Sequence, residues 1–309
     1  MPGQPELSVL IPTLDYAHVD RVLRSLLQQD QPGSSYEVIV SDWRDGTWRA
    51  PVAREAERNR AVAVSYLRQD CEQLHRTRQL NAAIQASRGQ VLVFLAGDLT
   101  PEANFIGAHL QFHRRNPETE AVAVGPAAFV SAQAQGPLVR WLEESGQLFG
   151  FRLGQGDAGG FFYVGNASLK RTLLNQVGAF DEAIYLNAMD DFELGHRLRG
   201  AGMRSYHLPE AVTRHEHPHE IDLADQTKAI RMLGEIAVVF ERKYPGPYEW
   251  DTTCRRRPFS LRMDAVYWRM RYALTWRREY LHRYYMSMRA TAFVEGWRRG
   301  RQRRPQTAP

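Results

Sequence analysis

The segment VLVFLAGDLTP, residues 91–101, joins a continuous apolar run to a single carboxylate, Asp98. Five apolar residues in succession predict a strand that is buried on both faces, as strands are in parallel sheets covered by helices. In such folds ligands bind beyond the carboxyl ends of the strands, which is where Asp98 lies. An isolated Asp before Thr100 and Pro101 is more often a turn or cap residue, so the surrounding sequence must decide its role.

Comparable apolar runs occur on both sides of this segment and alternate with helical patterns. Strands are predicted at 7–12, 36–41 and 61–67, and amphipathic helices at 17–29, 73–87 and 103–114. The alternation predicts an α/β fold with a mostly parallel central sheet flanked by helices. We expect Pro12, Thr13, Asp42 and Gly97 along one edge of that sheet. No GxGxxG sequence follows the first strand, which argues against a dinucleotide-binding domain.

The net charge of +5 conceals two parts of opposite sign. From Arg255 onward the chain has 15 Arg and 3 acidic residues, whereas the preceding residues have 25 Lys or Arg and 32 acidic residues. An acidic body with a basic C-terminal segment indicates two parts with different partners. Cys71 and Cys254 suggest neither a disulfide scaffold nor a zinc site, so a reducing cytoplasm is expected. Neither a signal peptide nor an apolar run of the roughly 18 residues that span a membrane is expected.

Six segments, in order and at their spacings, resemble the family 2 glycosyltransferases, which are inverting enzymes of GT-A fold: LSVLIPT, EVIVSD, RQLNAAIQASRGQVLVFLAGD, FFYVGNASLKRTLLNQVGAFDE, MDDFELGHRLRGAG and LPEAVTRHEH. The resemblance covers about residues 7–243. It implies a GT-A catalytic domain over residues 1–245, with residues 246–309 as a basic, aromatic, helical extension. The implied activity is transfer of a sugar, of the hexosyl type, from a nucleotide-sugar donor to a hydroxyl acceptor.

On the donor side, the resemblance implies that the fourth strand leads into an Asp-x-Asp motif that binds a divalent metal and the nucleotide-sugar. Here Asp98 is retained and Ala96 stands at the first acidic position. A Mn²⁺ or Mg²⁺ ion would neutralise the charge that develops on the departing diphosphate. The residues that match the nucleotide and donor side are Pro12, Thr13, Asp42, Arg76, Gly97 and Asp98, although Arg76 is equally consistent with a solvated helix face.

The sequence MDDFELGH matches the family's acidic pair, whose second member is the general base, here Asp191. An inverting transfer is one displacement, and it needs a carboxylate to take the proton of the acceptor hydroxyl. The simpler alternative is that Asp190 and Asp191 complement the dipole at a helix N-terminus.

The sequence HEHPHE contains three histidines, of which His215 best matches the family's additional metal ligand and His217 is second. An exposed polar loop is the alternative. A zinc hydrolase built on these two and His219 lacks any supporting acidic signature.

On the sugar and acceptor side, the resemblance implies Gly165, Asn166, Ser168 and Asp190. After EVIVSD, the family's second Asp and Gly-Ser are replaced by Trp43, Arg44 and Asp45, so the nucleotide stays open, with uridine the commonest in the family. Trp43 could stack on a base or an acceptor ring. An aromatic strand is predicted at 161–163, and Ser168 is alternatively the N-cap of a helix at 169–176.

In the extension, aromatic residues and Met alternate with Arg at roughly helical spacing. Three interpretations remain open: an interfacial helix on an anionic membrane, a helix packed on the catalytic domain, or nucleic-acid binding, the least supported. The last residues, RQRRPQTAP, are predicted to be disordered.

The sequence therefore predicts an enzyme that builds a polysaccharide, a glycolipid or a glycosylated metabolite, cytoplasmic or peripheral on the inner face of the membrane. The competing interpretation is a catalytically silent nucleotide-sugar-binding protein, which the departures at Ala96 and Trp43 favour.

Overall fold

The computed structural model describes residues 4–13, 18–43, 46–69, 75–129, 136–145, 162–184, 189–215, 222–248 and 250–303. The chain divides into two compact units. Unit 1 comprises Met1–Tyr185 and Asp190–Glu220, and unit 2 comprises Leu186–Met189 and Ile221–Pro309.

Unit 1 contains all the described strands: β1 (Leu7–Pro12), β2 (Tyr36–Asp42), β3 (Ala63–Arg68), β4 (Val91–Leu95), β5 (Leu99–Pro101), β6 (Ala121–Val124), β7 (Ala127–Phe129), β8 (Asn166–Lys170), β9 (Arg204–His207) and β10 (Thr213–His215). Its helices are α1 (Val19–Leu26), α2 (Arg49–Arg58), α3 (Arg76–Ala86), α4 (Phe105–Arg115), α5 (Pro137–Ser145) and α6 (Arg171–Val177), with α7 (Met189–Gly200) beginning one residue earlier in unit 2.

Seven of these described strands form the central sheet in the order β3-β2-β1-β4-β8-β6-β9. The first four strands in this order are mutually parallel, and β8 is antiparallel to both β4 and β6. Helices connect the parallel strands, as the predicted α/β fold requires. The carboxyl ends of β1, β2 and β4 therefore meet at one edge of the sheet. This confirms the expected position of Thr13, Asp42 and Gly97 at that edge.

Both faces of the sheet are covered, which explains why β4 is apolar at every position and β1 at every position but Ser8, whose buried hydroxyl donates to Glu37. Val91, Val93 and Leu95 belong to one hydrophobic core, together with residues of α1 and α4. Leu92 and Phe94 belong to a second core on the opposite face, with residues of α3, α6 and α7. A strand alternates its side chains between the two faces, so a strand covered on both faces is mostly apolar on both.

The structure corrects the prediction around residue 166. Phe162 and Tyr163 precede the strand instead of forming it, and β8 begins at Asn166. Phe162 is buried because its ring packs edge-to-face on Phe94, with centroids 5.8 Å apart. Ser168 lies within β8 and is not a helix cap, since α6 begins at Arg171.

Unit 2 consists of four helices in its described part: α8 (Leu223–Lys243), α9 (Asp251–Cys254), α10 (Pro258–Thr275) and α11 (Arg278–Gln302). α11 packs against both α8 and α10. The division before α8 differs from the boundary predicted after residue 245. None of the described helices is long and apolar enough to cross a membrane.

A close crossing joins α8 to α11. A side chain at Gly296 would overlap the carbonyl oxygen of Arg231, and one at Gly234 would overlap that of Phe293. Glycine therefore lets the two backbones touch. Of the segment predicted to be disordered, Arg301 and Gln302 are helical, Arg303 follows the helix, and residues 304–309 lie outside the described residues.

Candidate active site

Asp98 and His215 are brought together by a second, smaller sheet. In it β10 pairs antiparallel with β5, and the register sets His215 opposite Leu99, the residue after Asp98. Nε2 of His215 lies 3.2 Å from Oδ2 of Asp98, and both residues are buried. Residues separated by more than 100 positions in the chain thus form the carboxylate–imidazole pair that the sequence predicted as metal ligands.

Asp190 and Asp191 lie in the first turn of α7, and Arg76, the first residue of α3, contacts both of them. Nε of Arg76 donates to Oδ2 of Asp190 at 2.6 Å, while Nη2 donates to Oδ1 of the same carboxylate. Nη2 also lies 3.3 Å from Oδ1 of Asp191. Asp190 is therefore held by both arms of the guanidinium, and Asp191 is held more loosely by one arm.

In this cluster both carboxylates are buried, and the guanidinium of Arg76 is only slightly exposed. Burial raises the pKa of Asp191 to about 7; Arg76 opposes that increase and Asp190 adds to it. Burial acts to lower the pKa of Arg76, but the two carboxylates outweigh it, so this pKa is raised and the guanidinium stays charged. A carboxyl group whose pKa lies near neutrality is suited to take up a proton during catalysis.

Asp42 and Thr13 meet at the edge of the central sheet, as predicted. Oγ1 of Thr13 donates to Oδ1 of Asp42 at 2.8 Å, and the hydroxyl of Tyr66 donates to Oδ2 at 2.6 Å. The backbone N–H of Thr13 donates to Oε1 of Gln79 at 2.8 Å. Because Asp42 is fully buried, these bonds fix the ends of β1, β2 and β3 relative to α3.

Asn166 and Ser168 project from β8 towards other parts of unit 1. Nδ2 of Asn166 donates to the carbonyl oxygens of Pro126 and Ala211. Oγ of Ser168 lies 2.8 Å from ring nitrogens of both His109 and His113 on α4. Burial lowers the pKa of His109 to about 4 and that of His113 to about 3, so both rings are neutral near pH 7.

The remaining predicted residues lie around the strand ends. Pro12 ends β1, and Trp43 is half-buried immediately after β2. The carbonyl oxygen of Gly97 accepts from the N–H of His18 at 2.9 Å. The carbonyl oxygen of Gly165 accepts from the N–H of Ala96 at 3.1 Å, joining the end of β4 to the start of β8. Arg44, Asp45, His217 and His219 lie outside the described residues.

Sequence reasoning missed three supporting side chains. Tyr66 and Gln79 bond to Asp42 and Thr13, and Arg197 donates to the carbonyl oxygens of Val177, Gly178 and Ala179, which anchors α7 to the end of α6. Tyr66 carried a usable signal, because β3 is parallel to β2 and a tyrosine near its end can reach the same edge. Gln79 and Arg197 are polar helical residues with no distinguishing pattern.

Comparison with solved structures reveals the same fold in known enzymes. The mannosyltransferase PcManGT from Pyrobaculum calidifontis, in complex with GDP-Man and Mn²⁺, is 20% identical; the match covers 96% of this chain and 89% of that one, with a TM-score of 0.64. S. aureus TarS 1–349, in complex with UDP-GlcNAc, is 13% identical over 96% of this chain and 92% of that one, with a TM-score of 0.54. At these sequence identities the similarity shows a shared fold and no more. A comparison with curated proteins found no significant match.

The family comparison covers most of unit 1. The model described as glycosyltransferase like family 2 matches residues 4–232, which include every candidate site residue named above. The fold, the acidic residues at its strand ends and this match agree: the chain belongs to the family 2-like glycosyltransferases.

Proposed function

We propose that this enzyme, a hexosyltransferase, transfers its sugar with inversion from a nucleotide-sugar to a hydroxyl acceptor, and that Asp191 is the general base. The observation that carries the proposal is the buried cluster of Asp190, Asp191 and Arg76. Asp190 is neutralised by a bidentate ion pair, which leaves Asp191 as the carboxylate with a pKa near neutrality.

In the proposed step, the acceptor hydroxyl oxygen attacks the anomeric carbon as the bond from that carbon to the diphosphate oxygen breaks. Asp191 takes the hydroxyl proton as the new glycosidic bond forms, and the nucleoside diphosphate departs from the opposite face. Arg76 keeps α3 and the start of α7 together and limits the rise in the pKa of Asp191, because its positive charge favours the ionised carboxylate. Asp190 holds the guanidinium in place.

We further propose that Asp98 and His215 hold a divalent cation. Among the residues that the structure describes, no group of three or more His, Cys, Asp or Glu side chains is arranged to hold a metal ion. One carboxylate and one imidazole nevertheless fit an ion whose other ligands are diphosphate oxygens and water. When bound, such an ion would stabilise the negative charge of the departing diphosphate. Mn²⁺ tolerates an imidazole ligand better than Mg²⁺ does, so we favour Mn²⁺.

The donor nucleotide is proposed to lie at the edge of the sheet near Pro12, Thr13, Asp42 and Gly97. PcManGT was solved with GDP-Man and TarS with UDP-GlcNAc, so both base types occur among the structural neighbours. A UDP-sugar is our first choice, following the family resemblance.

For the acceptor side we propose Trp43 and Gly165 as contacts and Asp190, whose carboxylate is buried against Arg76, as a residue that shapes the pocket. The proposed acceptor is a polysaccharide, a glycolipid or a metabolite. Trp43 could stack on a sugar ring. The side chains of Asn166 and Ser168 bond within the protein, so we propose that these residues shape the acceptor pocket through the position of β8.

A second candidate function is nucleotide-sugar binding without transfer. It is favoured by Ala96, which leaves Asp98 without the second carboxylate of the family's metal motif. Both candidate functions predict that the protein binds a nucleotide-sugar. Only the transferase predicts turnover of that donor.

A two-stage experiment tests the proposal. Thermal shift with a panel of UDP- and GDP-sugars, with and without Mn²⁺, identifies the donor, because a ligand bound to the native state raises the melting temperature. Nuclear magnetic resonance then reports the anomeric configuration of the product. We expect inversion, and Asp191→Asn should bind donor normally while transferring roughly 10²-fold more slowly or worse. Glu210→Gln is the matched control, because it makes the same kind of change at an exposed acidic residue. Donor binding with no turnover would support the silent alternative, and retained configuration would exclude the mechanism.

A further inference from the structure

Helix α10 has apolar side chains on two opposite faces. One face points towards α11: Leu261 and Ala265 are buried, and the ring of Trp268 stacks on Tyr280 of α11 at 5.6 Å. The opposite face carries six large apolar side chains that are 50–78% exposed: Phe259, Met263, Val266, Tyr267, Met270 and Leu274. We call these six residues the outer stripe.

The outer stripe is continuous because its members recur at intervals of three and four residues, which aligns them along one side of a helix. At about 100° per residue the six positions span an arc of about 100°. Trp276, which follows the helix in a left-handed conformation, is 76% exposed, but its ring packs edge-on against Tyr272, outside the stripe. Isolated exposed apolar residues are ordinary, but a contiguous row of this size on one helix indicates an interaction surface.

Arginines border the stripe on both sides. Arg262 and Arg269 lie along one border of the helix and Arg271 along the other, and all three are exposed. The one acidic residue of α10, Asp264, lies beyond the Arg271 border and is paired with Arg256 at 2.5 Å. Arg262 is also paired with Glu295 of α11, and Arg271 donates to the hydroxyl of Tyr280 at 2.9 Å. With Arg256 included, four arginines face two acidic residues, so the surface around the stripe carries an excess of positive charge.

We propose that the outer stripe of α10 lies in the interfacial layer of an anionic lipid bilayer. Apolar and aromatic side chains flanked by arginine have this role in interfacial helices: the apolar side enters the boundary between headgroups and acyl chains, and the cations meet lipid phosphates. The proposal assigns residues to the membrane contact predicted for the whole extension, and it stands apart from the catalytic assignments.

The charge pattern argues against a second copy of this chain as the partner. In a two-fold symmetric contact the same surface faces itself, so the bordering arginines would meet arginines. An anionic bilayer supplies the opposite charge over the same area. The packing of α10 on α11 also supports the proposal. The face with Leu261, Ala265 and Trp268 is already occupied by contacts, so the outer stripe on the opposite face remains exposed.

Vesicle flotation with the full chain tests the proposal, using phosphatidylcholine vesicles with and without phosphatidylglycerol. We expect binding that requires the anionic lipid. Replacing Met270 and Leu274 together by Ser should lower binding at least about tenfold, because two large apolar side chains are lost from the surface that enters the bilayer. Val239→Ser and Met286→Ser are matched controls, because these residues are about 40% exposed on α8 and α11, outside the stripe. They should bind as the unaltered chain does.

Three results would overturn the proposal. Binding unchanged in the stripe variant would show that arginines alone attract the vesicles. Absence of binding to anionic vesicles by the unaltered chain would exclude the membrane as partner. A dimer in light scattering that the stripe variant converts to a monomer, with no vesicle binding by either, would assign the stripe to self-association.

Discussion

At the scale of single residues, Asp191 is set apart from Asp190 by how each contacts Arg76. The guanidinium pairs with both oxygens of Asp190 and with one oxygen of Asp191. Two neighbouring buried carboxylates therefore differ in how strongly they pair with a cation. Such a difference can make one carboxylate an ion-pair partner and the other a proton acceptor. The acidic pair could be read from the sequence, but Arg76, 114 residues away, could not be assigned to it.

The raised pKa of Asp191 gives a prediction for pH dependence. The proposed general base must be ionised to accept a proton, so we expect the rate to rise with pH through about 7 and then to level off. Arg76→Gln removes the charge that favours ionisation, and its profile should move to higher pH. Arg78→Gln, on the exposed side of the same helix, should leave the profile unchanged. The measurement is kcat/KM against pH, and an unshifted profile in a folded Arg76→Gln protein would contradict the assignment.

Asp98 gives a second residue-scale prediction. Asp98→Ala and Asp98→Asn should abolish Mn²⁺-dependent donor binding, because neither variant supplies an anion and Ala96 offers no substitute. Ala96→Asp restores the family's pair and should keep or strengthen binding. Titration calorimetry with and without a chelator measures each case. Glu102→Gln, which removes an exposed acid paired with Arg214 near the same strands, is the control. Unchanged metal-dependent affinity in Asp98→Ala would leave Asp98 as a turn residue.

At the scale of elements, the long strands were predictable and the short ones were not. β4 is continuously apolar, and β1 and β2 are largely so, because both faces of the sheet are covered. The predicted bounds of all three strands agree with the structure to within one residue. β5, β7 and β10 have three residues each, too few for any periodicity, and their pairing depends on distant parts of the chain. That pairing brings His215 to Asp98, so the sequence could suggest these two proposed metal ligands only through the family resemblance.

The crossing of α8 and α11 gives a prediction at this scale. Gly296→Ala adds a methyl group that would overlap the carbonyl of Arg231, so the helices must separate or the backbone must distort. We expect a loss of about 1–3 kcal/mol in the free energy of unfolding. Gly200→Ala on α7, whose added methyl group would meet no atom within 4 Å, is the control. Chemical denaturation measures both, and equal stability of the two variants would contradict the tight crossing.

At the scale of the whole molecule, the division into two units changes what truncation should do. A chain ending after Lys243 keeps α8 but loses α11, so Ile236, Val238 and Phe240 lose part of their cover. We expect this protein to aggregate and to bind a hydrophobic dye. A chain ending after Glu220 lacks α8 as well and should remain soluble and cooperative in thermal unfolding. If the fragment that ends after Lys243 proved more soluble than the one that ends after Glu220, the assignment of α8 to unit 2 would be contradicted.

The pairing of α8 with α11 also sets an order of events during synthesis. α9 and α10 separate the two helices in the chain, so α8 leaves the ribosome well before its partner exists. At about 5–20 residues per second, the wait lasts several seconds, during which the apolar side of α8 has no cover from α11. The strands of unit 1 precede α8 and can pair while this happens. A nascent chain stalled within α11 would therefore expose α8 without its partner while the strands of unit 1 are already paired, the kind of surface that chaperones and proteases recognise.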